Sequence, residues 1–189
     1  ENFSDLELPE DIENTVKYAY ATHLYFGAFE RVSSKVSPAY IDFEKLEEMI
    51  NGNTKGIIIN SPNNPSGAVY SSETIQKLAD LLRNKENEYG HPIFIIADEP
   101  YREIVYDGVE VPFVTKYYAN TLVCYSYSKA LSLPGERIGY VSVSPNAENA
   151  QKLYLAIAGA GRSLGYVCAP ALFQKVVERC VDKTSDSSV

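Results

Sequence analysis

One lysine stands among small hydroxyl residues in the run Ser126-Tyr127-Ser128-Lys129-Ala130-Leu131-Ser132, and Arg137 follows eight positions after it. A lysine amine condenses with an aldehyde to give a Schiff base, and its surroundings decide whether it does. Serine hydroxyls and a guanidinium both donate to phosphate oxygens, so Ser126, Ser128 and Arg137 have the chemistry of a phosphate site. Taken alone, Lys129 would read as a solvated surface lysine and Arg137 as half of a surface ion pair. Apolar runs flank the segment at 121–125 and 138–143, and a lysine between two strands with hydroxyl neighbours favours the joint reading. An aldehyde and a phosphate carried on one small molecule describe pyridoxal phosphate.

Two further polar clusters each follow an apolar run. Asp98 comes directly after Ile93-Phe94-Ile95-Ile96-Ala97. Burial there disfavours its charge unless a cation or a donor meets it, and a protonated pyridine nitrogen is such a cation. By itself Asp98 would also serve as a helix cap. Tyr101, three residues on, could offer its phenol to the same ligand, or be an ordinary half-buried tyrosine. The third cluster, Asn60-Ser61-Pro62-Asn63-Asn64-Pro65-Ser66-Gly67, follows Gly56-Ile57-Ile58-Ile59 and in isolation would read as a turn.

These clusters need elements to bring them together. β-branched runs at 57–59, 93–97, 121–125 and 138–143 read as buried strands. Thr15–Ala21 alternates loosely, which suits another strand. Apolar spacing predicts helices at 43–50, from a cap at Ser71 or Ser72 to about Tyr89, and at roughly 146–159 and 168–182. Strands alternating with helices predict an α/β fold with a mostly parallel sheet flanked by helices. In such a sheet ligands gather beyond the carboxyl ends of the strands, where all three clusters fall.

Composition narrows the classes. The 189 residues carry a net charge of −8, with 45% hydrophobic and 22% charged residues, as expected of a globular chain with no nucleic-acid or anionic-membrane partner. No apolar run approaches the ~18 residues of a membrane span. Cys124, Cys168 and Cys180 show no CxxC spacing and are expected to be free thiols. His23 and His91 are too far apart in sequence for a local metal site, and the cytoplasm is the expected setting.

From about Lys55 to Val143 the chain resembles the large domain of fold-type I pyridoxal-phosphate enzymes, and among them the class I/II aminotransferases, the aspartate aminotransferase superfamily. Three pieces carry the resemblance, in order: Asn60-Ser-Pro-Asn-Asn-Pro-Ser-Gly67, Ala97-Asp-Glu-Pro-Tyr101 and Ser126-Tyr-Ser-Lys-Ala-Leu-Ser-Leu-Pro-Gly-Glu-Arg-Ile-Gly139. The resemblance implies that Lys129 holds the cofactor's aldehyde and later acts as general base. It implies that Asp98 keeps the pyridine nitrogen protonated, that Asn64 and Tyr101 bond the ring's 3-oxygen, and that Ser126, Ser128 and Arg137 hold the phosphate. Tyr25-Phe26-Gly27-Ala28-Phe29 is similar to the segment that stacks on the ring, with Phe26 as the stacker or else an ordinary core aromatic. The implied reaction moves an amino group between an amino acid and a 2-oxo acid by a ping-pong route, in a homodimer.

Against that family the chain departs in completeness. Members run about twice as long, and their glycine-rich phosphate turn has no counterpart in residues 1–22. The expectation is therefore a large-domain core over 1–189, weakly matched over 1–54, strongly over 55–143 and helical over 144–182. Without the small domain, such a piece is expected to turn over poorly by itself. A pyridoxal-phosphate carbon–sulfur β-lyase on the same scaffold is an alternative, and a non-catalytic fragment is another. Leu133-Pro134-Gly135-Glu136-Arg137 leans toward the aminotransferase.

Overall fold

The computed structural model describes residues 41–181. The expected strand at 15–21, Phe26 and the segment 1–22, where a glycine-rich turn has no counterpart in sequence, all lie outside the described residues. Two units divide the chain, Glu1–Asp42 and Phe43–Val189, and the second is the one described below. Its elements are α1 (Phe43–Met49), β1 (Gly56–Asn60), α2 (Ser72–Tyr89), β2 (Phe94–Asp98), β3 (Thr121–Ser126), α3 (Tyr127–Ala130), β4 (Gly139–Val143), α4 (Ala150–Ser163) and α5 (Ala171–Cys180).

The strands form one sheet in the order β1-β2-β3-β4. β1, β2 and β3 are parallel, while β4 runs antiparallel to β3. The link from β3 to β4 holds only the four-residue α3 and a 3-10 turn at Pro134–Glu136. It contains no crossover helix, so the chain doubles back on β3. Register aligns Asn60 with Asp98, Asp98 with Cys124, and Ser126 with Gly139.

The strands differ from expectation in their cover. They were expected to be buried throughout, yet β1 and β2 alternate between buried and half-buried residues. Ile57, Ile59, Ile95 and Ala97 are buried on one face, as are Ile75, Leu78, Ala79 and Leu82 of α2. Ile75 lines one cleft with Ile59 and Ala97, which seats the helix against that face. Each isoleucine or leucine among them contributes about 2 kcal/mol when taken fully out of water. On the other face Ile58, Phe94, Ile96, Asp98 and Cys124 are only half-buried by the described residues.

α2 has the ends its sequence predicts. Ser71 is the cap, its hydroxyl accepting from Thr74 N at 3.1 Å. Gly90 closes the helix at φ 70°, a conformation that favours glycine, and donates to Glu86 O. The Glu86 carboxylate then ties the helix to the starts of two strands, accepting from Ile93 N at 2.9 Å and Asn120 Nδ2 at 2.7 Å.

The last two helices are displaced from their expected bounds. α4 starts at Ala150 rather than near 146, because Asn149 takes a left-handed conformation (φ 55°) and ends a turn there. α5 starts after Pro170, since a proline disfavours helical geometry in the residue before it. Neither helix has a buried residue among those described. No helix of the described residues is long and apolar enough to cross a membrane, and the three cysteines are free thiols.

Candidate functional site

The carboxyl ends of β1 and β2 hold Asn60 and Asp98 side by side. Asn60 Nδ2 donates to the Asp98 backbone carbonyl at 2.9 Å and to Asp98 Oδ2 at 3.2 Å. The other end of the same amide accepts from Asn64 N at 3.0 Å and Asn63 Nδ2 at 3.2 Å. Asn64 Nδ2 in turn donates to the Tyr101 hydroxyl at 2.8 Å. The loop is further held by Ser61, whose hydroxyl accepts from Tyr70 N at 2.9 Å.

Asp98 is half-buried, and its carboxyl is pushed above the ordinary carboxylate range, first by burial and then by the neighbouring Glu99. Among the described residues it has no ion-pair partner. Cys124, its neighbour in register on β3, is pushed up in turn by burial and then by Asp98 and Glu99. This corner of the sheet therefore favours a cation.

Lys129 lies in α3, exposed, its Nζ 5.7 Å from the centre of the Tyr101 ring. One chain of contacts thus runs from Lys129 through Tyr101, Asn64 and Asn60 to Asp98. Ser126 caps α3 by accepting from Ser128 N at 3.1 Å, and the two serine hydroxyls are 2.6 Å apart. A Cβ at Gly139 would collide with the Tyr125 carbonyl, so only glycine lets β4 close on β3 beside Ser126.

Arg137 follows a different pattern. Its backbone is left-handed (φ 53°), its side chain is exposed, and its Nη1 donates to Pro134 O at 2.9 Å. The pairing of Gly139 with Ser126 brings its backbone to this end of β3, but the bond its guanidinium makes is to its own turn rather than to the serines. Phe26 lies outside the described residues.

Two features escaped the sequence reading. In sequence Asn60 reads as the start of a turn, and the parallel register that sets it opposite Asp98 is its only signal. The second is a brace behind Tyr101. Glu99 is buried (3% exposed) and pairs with Arg102 Nε at 2.7 Å. Arg102 also donates to Val111 O at 2.9 Å and Pro112 O at 3.0 Å, and its guanidinium lies 4.0 Å from the centre of the Phe113 ring. The acid–Pro–Tyr–Arg order places a carboxylate and a guanidinium one turn apart, a spacing at which such groups meet.

The chain is similar to proteins of one family. A sequence model of the family described as aminotransferase class I and II matches residues 26–185. The chain is 38% identical over 104 residues to a probable aspartate aminotransferase of Methanocaldococcus jannaschii, covering 55% of this chain and 26% of that protein. It is 33% identical over 139 residues to an aspartate aminotransferase of a Bacillus species, covering 71% and 33%. Among solved structures it is similar to an amino transferase from Eubacterium rectale, with a TM-score of 0.76 and 69% identity over 78% of this chain and 37% of that one. It is also similar to the Thermus thermophilus aspartate aminotransferase with maleate, with a TM-score of 0.62 and 26% identity over 78% and 35%. The chain spans about a quarter to a third of the length of the curated relatives it matches.

Proposed function

We propose that this chain, which belongs to the aminotransferase class I and II family, forms the pyridoxal-phosphate-binding part of an enzyme that moves an amino group between an amino acid and a 2-oxo acid. The observation that carries the reading is the single run of contacts from Lys129 through Tyr101, Asn64 and Asn60 to Asp98.

The donor set suits the cofactor. Asp98 is a desolvated carboxylate with an amide donor and no cationic partner among the described residues, which fits a protonated ring nitrogen. The Tyr101 oxygen accepts from Asn64, so its own hydrogen is available to a ring oxygen. Ser126 and Ser128 offer hydroxyls 2.6 Å apart, and Arg137 has N–H donors beyond the one on Pro134 for a phosphate. When bound, pyridoxal phosphate supplies an aldehyde for an amine and a cationic ring that draws electron density from the substrate's α-carbon.

Each residue has a task in that setting. Asp98 would keep the proton on the ring nitrogen, and that cation would in return favour the ionised form of Asp98. Tyr101 and Asn64 orient the ring through its 3-oxygen. Lys129 would hold the cofactor's aldehyde through its amine and, when free, would serve as the general base that moves a proton from the substrate's α-carbon. Two such half-reactions, first with an amino acid and then with a 2-oxo acid, give ping-pong kinetics. As the family resemblance implies, the reading includes a cytoplasmic homodimer. Its boundaries are a large-domain core over 1–189, and its corollary is that the 189-residue chain alone turns over poorly.

Borohydride reduction of the chain with pyridoxal phosphate, followed by peptide mass mapping, tests this. One reduced adduct on Lys129 is expected, absent in Asp98→Ala. Labelling spread evenly over surface lysines would overturn the site. Amino acids added to the unreduced chain with pyridoxal phosphate separate the chemistries: a 2-oxo acid with pyridoxamine phosphate supports amino transfer, and pyruvate with ammonia would make the chain a lyase.

A further inference from the structure

We propose that Asn60 is the positioning residue that couples the two ends of this site, its amide nitrogen holding Asp98 and its amide oxygen holding the loop that presents Asn64. The inference rests on the cofactor reading for its purpose, but its geometry stands independently.

An asparagine side chain has two N–H donors and one oxygen with two lone pairs. At Asn60 all of that capacity is used. The two donors meet Asp98 O at 2.9 Å and Asp98 Oδ2 at 3.2 Å. The oxygen meets Asn64 N at 3.0 Å and Asn63 Nδ2 at 3.2 Å. The orientation is dictated by chemistry. A flipped amide would point its oxygen at two acceptors and its NH2 at two donors. Aspartate would put a second carboxylate beside Asp98, and glutamine would reach too far for the same four partners.

The consequence is a mechanical link. Asp98 Oδ2 is fixed by Asn60, while no described residue bonds Oδ1. Asn64, fixed through its backbone N–H, aims its own amide at the Tyr101 hydroxyl at 2.8 Å. One side chain therefore sets both the carboxylate proposed for the ring nitrogen and the pair proposed for the ring's 3-oxygen.

Asn60 also opposes the other influences on Asp98. Burial and Glu99, the residue that follows β2, work against the charged form, and Cys124, the group facing it from β3, is a thiol that Asp98 itself pushes up. Asn60, on β1, donates to it, and a donor to the charged form favours that form. Truncating a positioning asparagine should therefore change how Asp98 titrates, whereas an asparagine that only filled a turn would leave that titration alone.

NMR of the cofactor-free 189-residue chain tests this directly. In the unsubstituted chain the Asn60 side-chain amide protons should track the carboxyl titration of Asp98. In Asn60→Ala the Asp98 pKa should rise by about one unit, and the Asn64 side-chain amide signal should move. In Asn60→Asp the Asn64 backbone amide should stay protected from hydrogen exchange, since an acceptor is retained, while the Asp98 pKa should rise beside a second carboxylate. With pyridoxal phosphate added, Asn60→Ala should bind about tenfold more weakly and change the pH at which the chromophore titrates. An Asn60 amide insensitive to the Asp98 titration, or a folded Asn60→Ala chain with an unchanged Asp98 pKa, would overturn the proposal. Failure to trap the cofactor on Lys129, with the amide–carboxyl coupling intact, would sink the cofactor reading and leave the coupling standing.

Discussion

α2 and α4 are both amphipathic, yet among the described residues only α2 buries side chains fully. α2 buries Ile75, Leu78, Ala79 and Leu82, is capped by Ser71 and Gly90, and is tied to the sheet by Glu86. α4 begins at an uncapped left-handed asparagine and buries nothing among the described residues, with Tyr154 and Leu155 more than half exposed. The contrast teaches that periodicity reports the capacity to bury a face, while a sheet of matching shape decides whether burial happens. The largest effect should therefore fall on α2. Leu82→Ala removes a fully buried side chain and should cost about 4 kcal/mol in urea denaturation. A loss below about 1 kcal/mol would show the α2 layer to be loosely packed and erase the contrast.

The next effect belongs to the brace behind Tyr101. Arg102→Ala would leave the Glu99 carboxylate buried without its partner and release the carbonyls of Val111 and Pro112. The expected cost is about 3 kcal/mol. The paired change Glu99→Gln with Arg102→Met should cost less than Arg102→Ala alone, because no charge is then stranded. Denaturation of the two variants beside the unsubstituted chain checks this. Equal losses would mean that packing on Phe113 matters more than charge.

The same distinction explains what could be read ahead of the structure. The β-branched runs at 57–59 and 93–97 and the cap and stop of α2 are local signals, and they came through in place. The antiparallel return of β4 depends on how little helix separates it from β3, which periodicity does not report. The cover on the strands was overestimated because an apolar run shows what a strand can bury, not what lies against it. In the candidate site, Asp98, Tyr101, Asn64 and Lys129 are legible as types at the ends of strands, and the structure joins them by contacts. Asn60 is not legible in that way, since its role arises from register: Asn60 meets Asp98 because β1 and β2 are parallel and aligned. Arg137 shows the reverse case, a residue legible by position whose side chain is bonded to its own turn.

A smaller effect, of opposite sign, separates the site from the core. The Asp98 carboxyl is raised by burial and by Glu99, so the folded chain keeps a proton that the unfolded chain has already lost. Stability therefore falls as pH rises from the ordinary carboxylate value to the raised folded value, and the deficit stays constant above it. Asp98→Asn should remove that deficit, stabilising the cofactor-free chain at neutral pH by less than about 1 kcal/mol, since a half-exposed group is partly screened. The gain should vanish in acid, where both forms are neutral. Urea denaturation across that window checks it, and cofactor binding should weaken in the same variant. A stability gain that persists unchanged in acid would place its cause outside the charge.

The smallest effect returns to α4. Leu155 is 58% exposed, so Leu155→Gln exchanges one good helix former for another in a solvated position. The expected change is within about 0.5 kcal/mol, against about 4 kcal/mol for Leu82→Ala in α2. Measured side by side, the two leucines give a ratio that depends on what each one touches and very little on residue type. A loss above about 1 kcal/mol at Leu155 would mean that α4 packs against residues outside those described. The difference between the helices would then lie in which partner each one has, and both would count as buried elements of the fold.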